Sequence, residues 1–380
     1  MDGDGGSTTP TVTIAIVAWR ESAYLQRCLD ALAANVPADL FRTILILNEA
    51  TDSARARVRP GGPVTEVLAF RNNLGFGAAA NVAVERAATE FVVLLNDDCV
   101  VQPGWLQELI GTARRRPAAG AVGSLFLNLD GSLQEAGSVL WADAATVPIG
   151  GDAREDGQRW RFERRVDYCS GASLLIRTEA WRAVGGIDER YYPGYYEDVD
   201  LSLRLAELGY ETWLSPLSVV LHTKGGSSTE RYRTFLGRRN AAVFAQRWAD
   251  APSRLPATDA VENAVWRAMG QPRRVLVLAD LDPDGVEAAA ELTAMLGQAG
   301  ADDDAFVTVC GRVPAACGDE LARRGVRVVE DLPAHLADPA VDFDTVVLAR
   351  EGCDGVRDLL GERIGATDTV VLGSSPSAAR

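Results

Sequence analysis

Three apolar runs rich in β-branched residues stand in the first hundred residues, at 11–18, 43–47 and 91–95. Runs of this kind are typical of strands that are buried on both faces of a sheet. The segments between them have apolar residues at helical spacing, with Ser22 as the expected cap of the first helix and a second helix expected over 78–88. This alternation predicts an α/β fold, in which a mixed, mainly parallel sheet carries helices on both faces.

Ligands of such folds bind beyond the carboxyl ends of the strands, and here these ends carry polar residues. The first strand runs into Trp19-Arg20-Glu21, the second into Asn48, and the third into Asn96-Asp97-Asp98. Two adjacent carboxylates stay ionised only when a positive charge approaches them, and hard oxygen ligands suit Mg²⁺ or Mn²⁺. The motif predicts a divalent metal site, with a solvated acidic turn as the alternative.

A second acidic group, Glu197-Asp198, follows two tyrosines at the start of a helix predicted over 195–210. Aromatic side chains beside two carboxylates are typical of a partly covered cleft, where one carboxylate can act as a general base. The alternative is that these acids only cap the helix and interact with its dipole, which accounts most readily for Asp200.

His222 ends a short predicted strand at 219–221 and is followed by a Gly/Ser-rich loop that contains Lys224, the single lysine of the chain. Backbone N–H groups of such a loop and a lysine ammonium can bind phosphate oxygens. The sequence therefore predicts an anion site here. The alternatives are a structural histidine and a lysine placed by chance.

Charge and composition exclude several classes of protein. The formal net charge is −15, which argues against nucleic acid or an anionic membrane as the main partner. Six cysteines without a C-x-x-C pair indicate reduced thiols. No apolar run reaches the ~20 residues of a membrane helix, and the sequence shows no basic amphipathic helix, so we expect a cytoplasmic protein without strong lipid association.

The chain is expected to have a disordered tail at 1–10, a main domain at 11–270 with a helical C-terminal connection, and a smaller, Rossmann-like doubly wound α/β domain at 271–380. The five strands of the last domain are predicted near 275–279, 306–309, 326–329, 345–348 and 369–372. Its acidic surplus argues against phosphate-rich ligands, and self-association through it is one expectation. A doubly wound fold does not by itself indicate a function.

Five blocks in the main domain resemble the inverting family-2 glycosyltransferases, and among them the rhamnosyltransferase-like branch. The resemblance covers about residues 11 to 230. The blocks are FRNNLGFGAAANVAVERA, VVLLNDDCVVQPGWLQELI, AVGSLFLNLDGSLQEAG, SGASLLIRTEAWRAVGGIDERYYPGYYEDVDLSLRLAELGY and SVVLHTKGGSS. The resemblance implies a GT-A fold with one sheet that binds a nucleotide sugar, a divalent metal, and acceptor-side elements from the second half.

The resemblance also implies roles for single residues. Asp98 and His222 would hold Mg²⁺ or Mn²⁺ at the donor diphosphate, with Lys224 nearby. Asp198 would be the catalytic base, and Glu197 would organise the acceptor beside it. Asn96 or Asp97 would lie near the ribose or the sugar. The segment close to the nucleotide would supply Asn73, Gly77 and Asn81.

Two positions depart from the family pattern. A Pro-Thr-Tyr-Asn-like turn usually follows the first strand, and here the chain has Val17-Ala18-Trp19-Arg20. An aspartate that accepts the N–H of the base usually ends the second strand, and here Asn48 stands in its place. An amide carbonyl accepts the same hydrogen bond without a charge. Trp19 and Asn48 are therefore expected to alter recognition of the donor nucleotide.

The implied reaction is a metal-dependent single displacement with inversion, from a dTDP- or UDP-sugar to an acceptor hydroxyl. The acceptor is left open between a glycan intermediate, a lipid-linked saccharide and a small natural product. One alternative is a sugar-nucleotide-binding module with little turnover, which the two departures favour. A nucleotidyltransferase is another, but it would require a Gly-rich basic loop after the first strand.

Overall fold

The structure is a computed structural model that describes residues 10–20, 22–58, 60–151, 157–223, 229–249, 259–270, 272–278, 292, 295–297, 305–311, 313, 315–348 and 368–371. Contacts divide the chain into two compact units. Unit 1 consists of Met1–Glu155 with Arg165–Ala257, and unit 2 of Asp156–Arg164 with Thr258–Arg380. Among the described residues, no helix is long and apolar enough to cross a bilayer.

Strands and helices alternate through the first 250 residues. The strands are β1 (Val12–Trp19), β2 (Phe41–Asn48), β3 (Glu66–Ala69), β4 (Phe91–Asn96), β5 (Cys99–Val101), β6 (Ala119–Leu127), β7 (Leu133–Glu135), β8 (Ser138–Leu140), β9 (Thr146–Pro148), β10 (Arg164–Arg165), β11 (Ser173–Arg177) and β12 (Glu211–His222). The helices are α1 (Leu25–Asn35), α2 (Asp52–Arg57), α3 (Gly75–Val84), α4 (Trp105–Arg115), α5 (Thr178–Val184), α6 (Glu197–Glu207) and α7 (Glu230–Arg247), with 3₁₀ turns at Gly157–Trp160 and Glu189–Tyr191.

The sheet of unit 1 brings the polar strand ends together. Its strands lie in the order β12, β6, β11, β4, β1, β2 and β3. β1 pairs in parallel with both β2 and β4, in a register that sets Trp19 opposite Asn48 and Val17 opposite Asn96. β11 is antiparallel to β4 and β6, and β12 is parallel to β6. The predicted mixed, mainly parallel sheet is thus confirmed.

The core explains why these runs form the central strands. Val12, Ile14 and Ile16 of β1 are fully buried in one apolar cluster, and α1 packs Leu25 and Leu32 against it. Strands that are covered on both faces need apolar residues along their whole length, which is the pattern of the sequence.

Several predicted boundaries move by one turn or more. α1 begins at Leu25 after Tyr24, and the Ser22 hydroxyl accepts the Tyr24 N–H at 3.2 Å, so Ser22 makes a turn before the helix and is not its cap. The helix predicted over 78–88 is α3 and ends at Val84. The strand predicted at 219–221 is the end of the twelve-residue β12.

Unit 2 contains its own parallel sheet. Its elements are α8 (Val261–Ala268), β13 (Arg273–Leu278), β14 (Ala305–Cys310), α9 (Ala315–Arg323), β15 (Arg327–Val329), α10 (Leu332–Leu336), β16 (Thr345–Leu348) and β17 (Asp368–Val371). The order is β15, β14, β13, β16 and β17, all parallel. Alternate residues of β13 belong to two apolar clusters, Val275 and Val277 to one and Leu276 and Leu278 to the other, so both faces are covered.

The division between the units differs from the domain boundary expected near residue 270. Unit 2 also takes up the 3₁₀ turn and the residues after it, where Phe162 stacks on Phe306 at 5.3 Å between ring centroids. Glu163 donates its N–H to the carbonyl of Ala322 at 2.8 Å. Contacts between residues so distant in sequence leave no local pattern, which is why sequence reasoning missed them.

Candidate functional site

One cavity of about 680 Å³ lies at the carboxyl ends of β1, β2 and β4 in unit 1. Its wall brings together most of the residues that the sequence singled out, from segments far apart in the chain. These residues are Trp19, Asn48, Asn73, Asn96, Asp97, Asp98, Glu197, Asp198 and His222. A cavity of this volume is within the usual range for small-molecule sites.

Asp98 and His222 face each other across the end of the sheet. β5 and β12 pair so that His222 lies opposite Cys99, and His222 Nε2 is 3.4 Å from Asp98 Oδ1. That Asp98 oxygen is buried and has no hydrogen-bond partner among the residues that the structure describes. A buried carboxylate oxygen without a partner is costly, and an adjacent cation would satisfy it.

Gln134 fixes the tautomer of His222. The Gln134 Nε2 donates to Asn128 Oδ1 at 2.9 Å and to the His222 carbonyl at 3.1 Å, so Gln134 Oε1 is the atom that faces the ring. It lies 2.7 Å from His222 Nδ1. Because a carbonyl oxygen only accepts, Nδ1 carries the proton and the lone pair of Nε2 points towards Asp98. A metal-binding histidine requires this orientation.

The donor set suits a hard divalent cation. Asp98, Cys99 and His222 place one potential ligand atom each within 4.8 Å of one another. The Cys99 thiol donates to the Ala172 carbonyl at 3.3 Å, and burial raises its pKa, so it is a neutral thiol and not a thiolate ligand. The carboxylate and the imidazole remain, which fit Mn²⁺ or Mg²⁺.

Asp97 adds a second carboxylate to this wall. Burial is the main reason why its pKa is raised to about 6, a hydrogen bond with Ser22 opposes the rise, and the charge of Asp98 increases it. Ser22 therefore contacts the acidic motif itself. A cation beside Asp98 would favour the ionised form of Asp97 as well.

Glu197 and Asp198 form the first turn of α6 on another part of the wall. Asp198 accepts the backbone N–H groups of Gly171 at 3.0 Å and of Val199 at 2.9 Å. Burial raises the pKa of both carboxyls, and for Glu197 the charge of Asp198 contributes as well. Glu197 Oε2 is buried, and no described residue forms a hydrogen bond with it. The backbone donors fix the orientation of Asp198 and leave it lone pairs to accept a proton.

The loop before α6 is held by a residue that sequence reasoning missed. Tyr195 and Tyr196 have φ angles of 76° and 72°, an unfavourable region for side chains larger than glycine. Asn240 of α7 is fully buried, and its Nδ2 lies within 2.8–3.0 Å of the carbonyls of Tyr191, Gly194 and Tyr195. One amide thus stabilises the strained backbone that carries Glu197 and Asp198.

Asp200 has a different role from the helix cap that was expected. It is fully buried and accepts hydrogen bonds from Tyr191, Trp248 and Arg204 at 2.7–3.0 Å. Arg247 Nε lies 3.2 Å from it. The carboxylate joins α6 to α7, because buried charges require paired donors from several elements.

Replacing Asn240 with leucine, which has a similar volume, is expected to lower the free energy of unfolding by about 2–4 kcal/mol, because buried carbonyls lose their donor. We expect kcat to fall by a larger factor than the donor Kd rises, because the loop leads into Glu197 and Asp198. Urea denaturation and single-turnover kinetics measure the two effects.

Gln246→Leu, at an exposed position of the same helix, is the control. Unchanged stability of Asn240→Leu beside this control would show that the amide does not hold the loop.

Asn48 and Trp19 are tied to their neighbours. The side-chain oxygen Oδ1 of Asn48 accepts the Leu74 N–H at 2.8 Å, and Asn48 Nδ2 donates to Asn73 Oδ1 at 3.1 Å. Trp19 Nε1 donates to Glu49 at 2.7 Å. Asn48 thus supports the Asn73 loop with part of its hydrogen-bonding capacity, and its contact with a donor base stays a prediction.

Gly77 and Asn81 do not line this cavity. A Cβ at Gly77 would lie 2.5 Å from the Ile187 side chain, so the glycine permits close packing. Asn81 makes two 2.9 Å hydrogen bonds with the backbone of Ile187. Both residues hold α3 against the turn before the acidic helix. Lys224 lies outside the described residues.

Known proteins resemble unit 1. A sequence profile described as "Glycosyltransferase like family 2" matches residues 10–245. The N-acetylglucosaminyl-diphospho-decaprenol L-rhamnosyltransferase of Mycobacterium tuberculosis is 29% identical over 265 residues, and the match covers 62% of this chain and 83% of that protein. The O-antigen biosynthesis protein RfbC of Myxococcus xanthus is 29% identical over 229 residues, and the match covers 58% of this chain and 18% of that protein.

The fold has a counterpart among solved structures. The crystal structure of GalNAc-T7 with UDP, GalNAc and Mn²⁺ superposes with a TM-score of 0.50 at 16% identity, over 64% of this chain and 48% of that one. This likeness confirms the GT-A-like architecture of the sheet. Since the profile covers more than half of the chain, the protein belongs to the family-2 glycosyltransferases, is rhamnosyltransferase-like, and is a glycosyltransferase.

Proposed function

We propose that this glycosyltransferase is metal-dependent and inverting, and that it moves a sugar from a nucleoside-diphosphate donor to an acceptor hydroxyl. The observation that carries the proposal is the single cavity that holds Asp98 and His222 on one part of its wall and Glu197 and Asp198 on another. The first pair suits a diphosphate with its cation, and the second suits a hydroxyl that must lose a proton.

Asp98 and His222 would hold the metal. The Asp98 oxygen, which has no hydrogen-bond partner in the described ranges, and the fixed His222 lone pair support this assignment. When bound, the cation would act as a Lewis acid that stabilises the negative charge of the departing nucleoside diphosphate. Asn96, the last residue of β4, or Asp97, which follows it, would orient the ribose or the sugar. GalNAc-T7, which has a similar fold, was crystallised with Mn²⁺.

Asp198 would remove the proton of the acceptor hydroxyl. The acceptor oxygen forms its bond to the anomeric carbon on the face opposite the diphosphate, the bond to the diphosphate breaks, and the proton moves to the Asp198 carboxylate. The N–H groups of Gly171 and Val199 hold this carboxylate in place. Glu197 would position the acceptor beside it. One displacement on one face inverts the configuration and needs a single base.

The donor is proposed to be a dTDP- or UDP-sugar and the acceptor a lipid-linked saccharide. The M. tuberculosis relative is named as a rhamnosyltransferase that acts on N-acetylglucosaminyl-diphospho-decaprenol, which supports an acceptor of this class. We also propose that the site lies in the cytoplasm and that the protein self-associates through unit 2.

Thermal unfolding with UDP-, dTDP- and GDP-sugars tests the proposal. One of these donors, together with Mn²⁺, is expected to raise the Tm by about 5–10 °C, because a ligand at 100 times its Kd stabilises a protein by about 2.7 kcal/mol. EDTA should abolish the shift. Release of nucleoside diphosphate on addition of an acceptor then measures turnover.

No shift with any donor in the presence of Mn²⁺ would contradict the proposal. A shift without product release from any acceptor would favour a binding module. One observation favours this binding module. The side-chain oxygen of Asn48 already accepts the Leu74 N–H, which leaves it less capacity to accept an N–H of the base.

A further inference from the structure

Exposed aromatic side chains are concentrated beside the cavity. Among the described residues, six large hydrophobic side chains are exposed, and four of them are Tyr192, Tyr195, Tyr232 and Phe235. Tyr195 and Tyr232 also line the cavity. Single exposed apolar residues are ordinary on a surface, but a group at the mouth of a site indicates an interaction surface.

These residues belong to two segments that are joined. Arg239 of α7 donates to the Tyr192 carbonyl at 2.7 Å, and Asn240 donates to the Tyr195 carbonyl at 3.0 Å. The first half of α7 and the loop before α6 therefore form one continuous surface.

The α7 part of this surface is basic, although the chain is acidic. Between residues 230 and 240, α7 has four arginines and a single glutamate, whereas the net charge of the chain is −15. Arg231, Phe235 and Arg238 are exposed and, at a spacing of four and three residues, lie on one face of the helix. We call the surface formed by Tyr192, Tyr195, Arg231, Tyr232, Phe235 and Arg238 the rim.

We propose that the rim docks on the surface of an anionic phospholipid bilayer, an inference that rests on the proposed function and adds a partner to it. Tyrosine settles at the level of the lipid headgroups, because the hydroxyl end of its ring is polar and the rest is apolar. Phenylalanine inserts its apolar ring at the boundary between headgroups and acyl chains. Arginine binds lipid phosphates, and basic residues near an anionic bilayer are attracted to it.

Charge and position favour a bilayer over other occupants. A chain of net charge −15 is repelled on average by an anionic bilayer, so the arginines of the rim favour an approach in which the rim faces the bilayer. In that orientation the mouth of the cavity lies at the headgroups. An acceptor saccharide on a lipid would then reach Asp198 while its lipid stays in the bilayer.

Co-sedimentation of the full chain with vesicles tests the proposal. We expect at least about tenfold stronger binding to vesicles of phosphatidylcholine and phosphatidylglycerol than to phosphatidylcholine alone, and loss of this binding at high salt. Arg238→Glu and Phe235→Ser are each expected to weaken binding about tenfold. Arg27→Glu and Leu208→Ser, at exposed positions outside the rim, are the matched controls.

Equal binding to the two vesicle types, or equal losses in rim and control variants, would overturn the proposal. So would a dimer in light scattering that only the rim variants dissociate, because a second copy would then cover the rim. Thermal stabilisation by donor and Mn²⁺, measured on the same variants, separates the two proposals. If the parent protein shows no stabilisation, the proposed function is contradicted. If it is stabilised but does not bind vesicles, only the docking proposal is contradicted.

Discussion

Replacing Asp198 with asparagine is expected to lower kcat by about 10²–10⁴-fold, because the acceptor hydroxyl loses its general base. Asparagine has nearly the same shape, and its side-chain oxygen still accepts one of the two backbone N–H groups that Asp198 accepts from Gly171 and Val199. The donor Kd should therefore change by less than about threefold. Single-turnover kinetics and calorimetric donor titration measure the two quantities.

The matched control is Asp39→Asn, which makes the same change at an exposed position. Glu197→Gln distinguishes the two neighbouring acids, since it should disturb acceptor KM more than the chemical step. Turnover of Asp198→Asn within a few-fold of the parent enzyme would assign the base to another residue.

The pH profile provides a second measure of the same residue. Burial raises the pKa of Asp198, so its carboxylate forms at a higher pH than that of an ordinary aspartate, whose pKa is about 3.9. The rate constant kcat/KM is expected to rise as the pH passes through this raised pKa, and Asp198→Asn should remove that rise. Because folding raises the pKa of this acid, ionisation of Asp198 lowers stability as pH rises, and the variant should lose that dependence.

Residues that follow directly from a strand were the easiest to predict. The runs at 11–18, 43–47 and 91–95 predicted three central strands, and the parallel register that the structure shows sets Trp19 opposite Asn48. Position at the carboxyl end of a strand is a local property of the sequence. The same reasoning placed Asp98 on the wall of the cavity.

Supporting contacts were not predictable, because each depends on a distant segment. Gln134 reaches His222 across 88 positions, and Asn240 reaches the Tyr195 carbonyl across 45. An isolated glutamine or asparagine carries no signal of such a partner. Asp200 illustrates the opposite error: its place in the first turn of α6 is typical of a cap, yet its partners come from two other segments as well as its own helix.

Replacing Asp98 with alanine is expected to weaken donor binding by at least about 100-fold in the presence of Mn²⁺, because a ligand of the proposed metal is lost and even the residues that orient such ligands contribute 10–100-fold. The stimulation of donor binding by Mn²⁺ should disappear with it. Calorimetric donor titration with Mn²⁺ and with EDTA measures both effects. Gln134→Leu, which frees the His222 ring to adopt the other tautomer, should have an intermediate effect of about tenfold.

Stability without metal separates a metal ligand from a structural residue. Within the described part of the chain, Asp98 Oδ1 is buried without a hydrogen-bond partner, so the metal-free protein carries the cost of that oxygen, about 1–3 kcal/mol. Asp98→Ala should therefore unfold in EDTA at the same urea concentration as the parent protein or a higher one, while Mn²⁺ stabilises only the parent. If Asp98→Ala is markedly less stable in EDTA than the parent protein, while the Asp39→Ala control is unaffected, Asp98 supports the fold. The weak donor binding of Asp98→Ala would then result from this loss of stability.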